Sequence, residues 1–222
     1  MLQPDLIFRN ARIIDGTGSP STTGDLAVSG DRLLDLGEIG NLHGEQEIDI
    51  EGRAVCPGFV DTHTHDDRVL LTDPNMNCKV SQGVTTVVTG NCGISLAPLK
   101  MQGRPPAPLD LLGRHPDEFF QSFADYLKAL DDNPPSLNAV CQVGHTTLRA
   151  SVMDSYDRPA TSAEIGQMGD MLEKSLEAGS CGMSTGLFYP PAHAAPTGEI
   201  VILAGILHAH RALHTTHMRD EG

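Results

Sequence analysis

Two rhythms divide the chain. Over residues 1–57 the apolar positions come in short runs rich in β-branched residues, and no helical spacing appears before residue 60. The run 5–15 (DLIFRNARIID) ends at Gly16-Thr17-Gly18. The run 26–37 (LAVSGDRLLDLG) has Gly30-Asp31 between two apolar stretches, which predicts a tight hairpin with glycine at the first turn position. The run 47–61 (EIDIEGRAVCPGFVD) repeats that scheme with Glu51-Gly52 at the turn. Residues 1–57 are therefore expected to form a small all-β unit.

From residue 58 strand-like runs alternate with helical patterns, so residues 58–222 read as an α/β unit. The runs are 58–65 (GFVDTHTH), 83–93 (GVTTVVTGNCG), 137–145 (LNAVCQVGH), 181–189 (CGMSTGLFY) and 212–218 (ALHTTHM). Pro116 opens a predicted helix with Phe119, Phe120, Phe123, Tyr126, Leu127 and Leu130 on one face, and Asn133-Pro134-Pro135 ends it. Thr161-x-x-Glu164 is a capping box before a second helix, whose apolar face is Ile165, Met168, Leu172 and Leu176 and whose stop is Gly179. Thr197 caps a third, with Ile200, Leu203 and Leu207 at helical spacing, and residues 100–108 form a loop. Repeated strand–helix units imply parallel strands with helical crossovers. The C-terminal ends of such strands meet on one face, which in a (β/α) barrel holds the active site.

Polar residues collect at those ends: His63 and His65, Asn91-Cys92, His145, Tyr189 and His217. Residues two apart on a strand face the same side. His63 and His65 can therefore share one metal ion, against the plainer alternative of two strand-end histidines bonded to neighbours. Asp61, Asp66 and Asp67 are candidates to orient the imidazoles, or are solvated loop charges. Cys92 is a candidate thiolate ligand or a small buried apolar residue, and residue type alone leaves both open. His217 stands at a strand end, and His214 is less well placed. His43, His115, His193, His208 and His210 fall in loops or on a helix.

Composition narrows the classes. The 222 residues suffice for a core without staples, and the net charge of −14 is spread along the chain. That acidity argues against nucleic acid and anionic membrane as partners, and the absence of Trp argues against a base-stacking surface. Cys56, Cys78, Cys141 and Cys181 read as structural, and five widely spaced cysteines suit a reducing, cytoplasmic setting. Neither a signal peptide nor an apolar run of membrane-spanning length is seen.

The segments PGFVDTHTHDD, GVTTVVTGNCGIS, VGHTTLR, GLFYPP and THMRDE, in this order, resemble the N-acyl-D-amino-acid deacylase (D-aminoacylase) family of the amidohydrolase superfamily. The resemblance runs over essentially the whole chain. It implies a small β-sandwich joined to a TIM-type (β/α) barrel that binds zinc. Cys92 and His217 match ligands of a tight zinc site, His63 and His65 match ligands of a second, weaker site, and Cys92 takes the bridging position. Tyr189 matches a position near the substrate carboxylate, while His145 is left without a role. The implied reaction is hydrolysis of an N-acyl-D-amino acid, a small-molecule substrate, to a carboxylate and a free D-amino acid, with zinc activating water.

Two parts of the family pattern are expected beyond residue 222: a further histidine ligand and the aspartate general acid/base. Five barrel strands do not close an eight-stranded barrel. The chain is thus expected to be the N-terminal portion of a longer enzyme, inactive alone. Two rivals stand beside this reading. One is a cyclic-amide hydrolase of the dihydroorotase or hydantoinase kind, which carries lysine where Cys92 sits. The other is a non-catalytic fragment that binds metal or a partner. Arg219 is expected near the site or paired with Asp220 or Glu221.

Overall fold

The structure, a computed structural model, describes residues 4–37 and 39–220. It divides into two compact units, Met1–Gly58 and Phe59–Gly222. In the first, β1 (Leu6–Ile13), β2 (Thr22–Ser29), β3 (Arg32–Gly37) and β4 (Gln46–Asp49) lie in the order β3-β2-β1-β4, and β5 (Ala54–Val55) also pairs with β1. Gly30-Asp31 makes the expected hairpin: Ser29 faces Arg32, and Gly30 has φ +55°. The second expected hairpin is absent. β4 and β5 both run parallel to β1, so Glu51-Gly52 is a jog between them. Glu51 and Gly52 take φ +57° and +78° there, opposite Asn10 at φ +58°. The Asn10 carbonyl accepts from the Gly52 N–H at 2.8 Å, which carries the chain past an irregularity in β1. The described residues of this unit form one five-stranded sheet. Ile7, Ala27 and Ile39 make a small core, and Leu33 on β3 is 65% exposed.

In the second unit β6 (Phe59–Asp61), β7 (Val84–Thr89) and β8 (Asn138–Cys141) pair in that order. β9 (Val143–Gly144), β10 (Gly182–Gly186) and β11 (Leu213–His217) form a second run, and every pairing in both is parallel. β8 and β9 are one strand interrupted at Gln142. The buried Gln142 side chain donates to Asn91 Oδ1 (3.3 Å) and accepts from Thr215 Oγ1 (2.8 Å), stitching the two runs together. Five parallel strand positions thus follow one another in chain order.

Helices α1 (Val69–Thr72) and α2 (Asn77–Val80) follow β6, and α3 (Phe123–Asp132) follows β7. After β9 come α4 (His145–Val152) and α5 (Ser162–Ala178), and after β10 come α6 (Pro190–His193) and α7 (Thr197–His210). The capping box of α5 is present: Glu164 N–H donates to Thr161 Oγ1 (3.3 Å), and Thr161 N–H donates to Glu164 Oε2 (2.7 Å). Gly179 ends α5 at φ +119°. Thr161→Ala is expected to lower the unfolding free energy by about 1 kcal/mol, measured by urea titration. Met168, Leu172 and Leu176 of α5 bury with Leu203 and Leu207 of α7 in one core.

Two helix starts differ from expectation. Pro116–Glu118 is a separate 3-10 turn, and α3 begins at Phe123, capped by Ser122 Oγ accepting from the Asp125 N–H. The Phe120 backbone is already engaged, its N–H donating to Leu96 O (2.9 Å) and its carbonyl accepting from Leu99 N–H (2.8 Å). A helix running through Phe120 would leave the buried 94–99 loop without those partners. Thr197 is the first helical residue of α7, and Pro196 occupies the cap position. Among the described residues no helix is long and apolar enough to cross a membrane.

Candidate metal centre

Strand alternation sets up the first half of the site. After β6 the buried Thr64 turns inward while His63 and His65 reach the surface on the other side. Their rings meet edge to face with centroids 5.7 Å apart. Asp61 closes β6, and its Oδ1 accepts from the His63 backbone N–H at 3.2 Å. Bonding to Lys79 holds the Asp61 carboxyl below its usual range, although partial burial works against this. Asp61 bonds to Lys79 and to the His63 backbone, while Asp66 meets Lys79 as an ion pair at 3.0 Å without hydrogen-bond geometry. Asp67 is neither a solvated charge nor an imidazole partner: it is 1% exposed, and burial pushes its carboxyl up to about 7.

Cys92 sits in the turn after β7. Gly90, Cys92 and Gly93 all have positive φ (+75°, +54° and +79°). Asn91 clamps the turn by donating to Val88 O (2.8 Å), and Gly93 N–H donates to Ser184 Oγ (2.9 Å) on β10. The space is closed by backbone. A Cβ on Gly90 would lie 2.1 Å from Gln142 O, and one on Gly186 would lie 2.1 Å from Cys92 O. Gly90→Ala is expected to cost about 1–3 kcal/mol of stability by crowding a packed interior, read from the denaturation midpoint at unchanged slope.

This turn delivers the sulfur. Cys92 is 8% exposed, and burial raises its thiol pKa. Its Sγ lies 3.1 Å from His63 Nε2 and 3.7 Å from His217 Nδ1, with His217 at the end of β11. One donor atom from each of His63, His65 and Cys92 falls within 4.8 Å of the others. With sulfur at about 2.3 Å and nitrogen at about 2.0 Å from a tetrahedral zinc, the two ligand atoms stand roughly 3.5 Å apart. The two measured separations bracket that value, and a thiolate with imidazoles is a zinc-type donor set. Both descriptions of Cys92 hold: it is a small buried residue, and its sulfur faces two imidazoles.

Tyr189 follows β10 and packs at a tilt against His217, with ring centroids 5.0 Å apart and planes 49° from parallel. His214, on the same strand, turns away to Thr185 Oγ1 at 3.2 Å. Arg219 donates to the carbonyls of His193 (3.4 Å) and Ala195 (3.1 Å), while Glu221 lies outside the described residues. His145 is not grouped with the cluster. It is fully buried, its Nε2 is 2.9 Å from Glu199 Oε1, and burial lowers its pKa. Arg149 makes two bonds to the same carboxylate (2.7 and 2.8 Å) and donates from Nε to Pro191 O (2.7 Å), just after Tyr189. Sequence reasoning missed Arg149, Glu199 and Lys79. The only signal for Glu199 was a charge next to the apolar stripe of α7.

A model of the Amidohydrolase family matches residues 46–221. N-acyl-D-aspartate deacylase from Alcaligenes xylosoxydans xylosoxydans is 52% identical over 222 residues, 99% of this chain and 44% of that protein. A solved D-aminoacylase, studied for the functional role of its binuclear metal centre, superposes with a TM-score of 0.95 at 49% identity, covering 99% of this chain and 46% of the other. N-acyl-D-glutamate deacylase from Bordetella bronchiseptica, solved with zinc and a phosphonate inhibitor, gives 0.93 at 41% identity, covering 99% and 46%. The chain thus spans a little under half the length of these relatives.

Proposed function

The chain belongs to the amidohydrolase family, and from that premise we propose that it serves zinc-dependent hydrolysis of N-acyl-D-amino acids to a carboxylate and a free D-amino acid. The observation that carries this reading is the Cys92 sulfur set between His63 on one side and His217 on the other. His63 and His65 would hold one ion, His217 would contribute a ligand to another, and the Cys92 sulfur would be within reach of both. What zinc supplies when bound is Lewis acidity: it makes water nucleophilic near neutral pH and polarises an amide carbonyl. The relatives support the substrate class, being deacylases of N-acyl-D-amino acids, one of them solved with zinc.

The chain's own residues hold and orient. Tyr189, whose ring packs at a tilt against His217, is taken as the contact for the substrate carboxylate on the resemblance of GLFYPP to the family pattern. Asp61 and Asp66 flank the histidines but are tied to Lys79, which leaves neither poised as a general base. The 222 residues alone are therefore expected to turn over no substrate, and robust turnover by the isolated chain would refute this.

The test uses the protein from its native source, with N-acetyl-D-amino acids of apolar and acidic side chains and their L-enantiomers. Release of free amino acid from the D series alone, lost to a chelator and restored by zinc, is the expected result. Hydrolysis of a cyclic amide in preference to every N-acyl-D-amino acid overturns the proposal.

A further inference from the structure

The geometry points to Lys79 as a positioning residue that fixes the His63-Thr64-His65 segment for metal, an inference that rests on the metal reading above. Lys79 lies on α2, the short helix between β6 and β7. Its ammonium is 2.6 Å from Asp61 Oδ2, 3.0 Å from Asp66 Oδ2 and 3.4 Å from Thr64 Oγ1. Those oxygens come from before, within and after the two histidines. One cation thus closes a loop around the segment, and Asp61 passes the grip on through its bond to the His63 N–H.

The anchor is firm. Met76, just before α2, is fully buried in the core, and its carbonyl accepts from Lys79 N–H at 2.9 Å and Val80 N–H at 2.9 Å. The Lys79 side chain is 21% exposed and that of Asp66 is 19% exposed, so water competes less here than at an open surface pair. The histidine side chains are exposed, and their contacts are with each other and, for His63, with the Cys92 sulfur. Their aim depends on the backbone between Asp61 and Asp66.

Charge and order act in opposite directions at this site, which makes the inference testable by sign. Removing the lysine frees two carboxylates beside a cation site, and by charge alone this strengthens cation binding. Removing the clamp lets the His63–His65 segment move, and loss of such an outer partner typically weakens metal binding about 10–100-fold.

The experiment is zinc titration of the wild-type chain, Lys79→Met and Lys79→Arg, with far-UV circular dichroism confirming that each is folded. Lys79→Met is expected to bind zinc about 10–100-fold more weakly, and Lys79→Arg to stay near wild type because it keeps the charge and can fork to both carboxylates. Equal or tighter binding by folded Lys79→Met overturns the inference, as does an arginine variant as weak as the methionine one. Should Lys79→Met not fold, Lys79→Ala takes its place: weaker zinc binding supports the clamp, and unchanged or tighter binding overturns it. A wild-type chain that binds no zinc overturns the metal reading itself, and this inference with it.

Discussion

Arg149→Ala is expected to lower the unfolding free energy by about 3–5 kcal/mol, the range for breaking a buried ion pair by removing one partner. Both side chains of the Arg149–Glu199 pair are fully buried. Arg149 bonds twice to Glu199, once to Pro191 O and once to Arg158 O (2.9 Å). Alanine removes all four bonds and leaves a buried carboxylate with His145 and the Ala160 N–H (3.4 Å) as its partners. Desolvation alone raises the Glu199 pKa, but bonds from His145 and Arg149 outweigh it and hold the group below its ordinary value. A depressed carboxylate contributes stability above its unfolded pKa and loses it as pH falls through the folded value. In the variant the sign reverses, because desolvation acts without the guanidinium. The gap between the two proteins is therefore expected to be wide near pH 7, to begin narrowing above the ordinary carboxylate pKa and to be much smaller by about pH 4. Urea titrations at both pH values read it. A loss under about 1 kcal/mol at pH 7 would place this pair with exposed ones and refute the account.

A paired change isolates the cause. Arg149→Met with Glu199→Leu removes both charges and keeps most of the volume, and such swaps are often neutral or stabilising. The double variant is expected to recover most of the lost stability. It also removes the bond to Pro191 O, the residue two after Tyr189, so the Tyr189–His217 contact can loosen in a protein that is otherwise firm.

What was legible in the chain depended on how local the cause was. Thr161, Glu164 and Gly179 bound α5 because a capping box and a left-handed glycine act within one turn. His63 and His65 share a side because strand alternation needs only the backbone between them. Gly30-Asp31 turns a hairpin on the same grounds, and Glu51-Gly52, with similar local chemistry, does not. Its outcome is set by β1, which pairs with the segments on both sides of the turn. Pro116 likewise carries a helix-start signal that loses to Leu96 and Leu99, whose backbones engage Phe120. Arg149, Glu199 and Lys79 were illegible for the same reason. Each is an ordinary helix charge until a partner far along the chain is known, 50 residues away for Arg149 and Glu199 and 18 for Lys79 and Asp61. Residue type left Cys92 undecided because burial and a sulfur aimed at two imidazoles depend on partners far along the chain.

Cys92→Ala is expected to weaken zinc binding about a hundredfold while leaving the fold in place. Spreading about 10–16 kcal/mol of structural zinc affinity over four ligands assigns roughly 3 kcal/mol to each, about a hundredfold in Kd. The sulfur here faces both His63 and His217, so its loss acts on both halves of the cluster. The fold should tolerate the change. The turn is held by Asn91 to Val88 O, by Gly93 to Ser184 and by Gly90 against Gln142, and none of these uses the thiol. The backbone at residue 92 is at φ +54° with cysteine already, so alanine adds no new strain of that kind. Calorimetric zinc titration of the variant, beside its urea midpoint, separates the two claims. Zinc bound about a hundredfold more weakly, with a midpoint close to wild type, is the expected pair of results. Full zinc occupancy in Cys92→Ala would mean that the metal is held without sulfur. That outcome would favour the cyclic-amide hydrolase over the deacylase and reduce the close approach of Cys92, His63 and His217 to packing at a strand end.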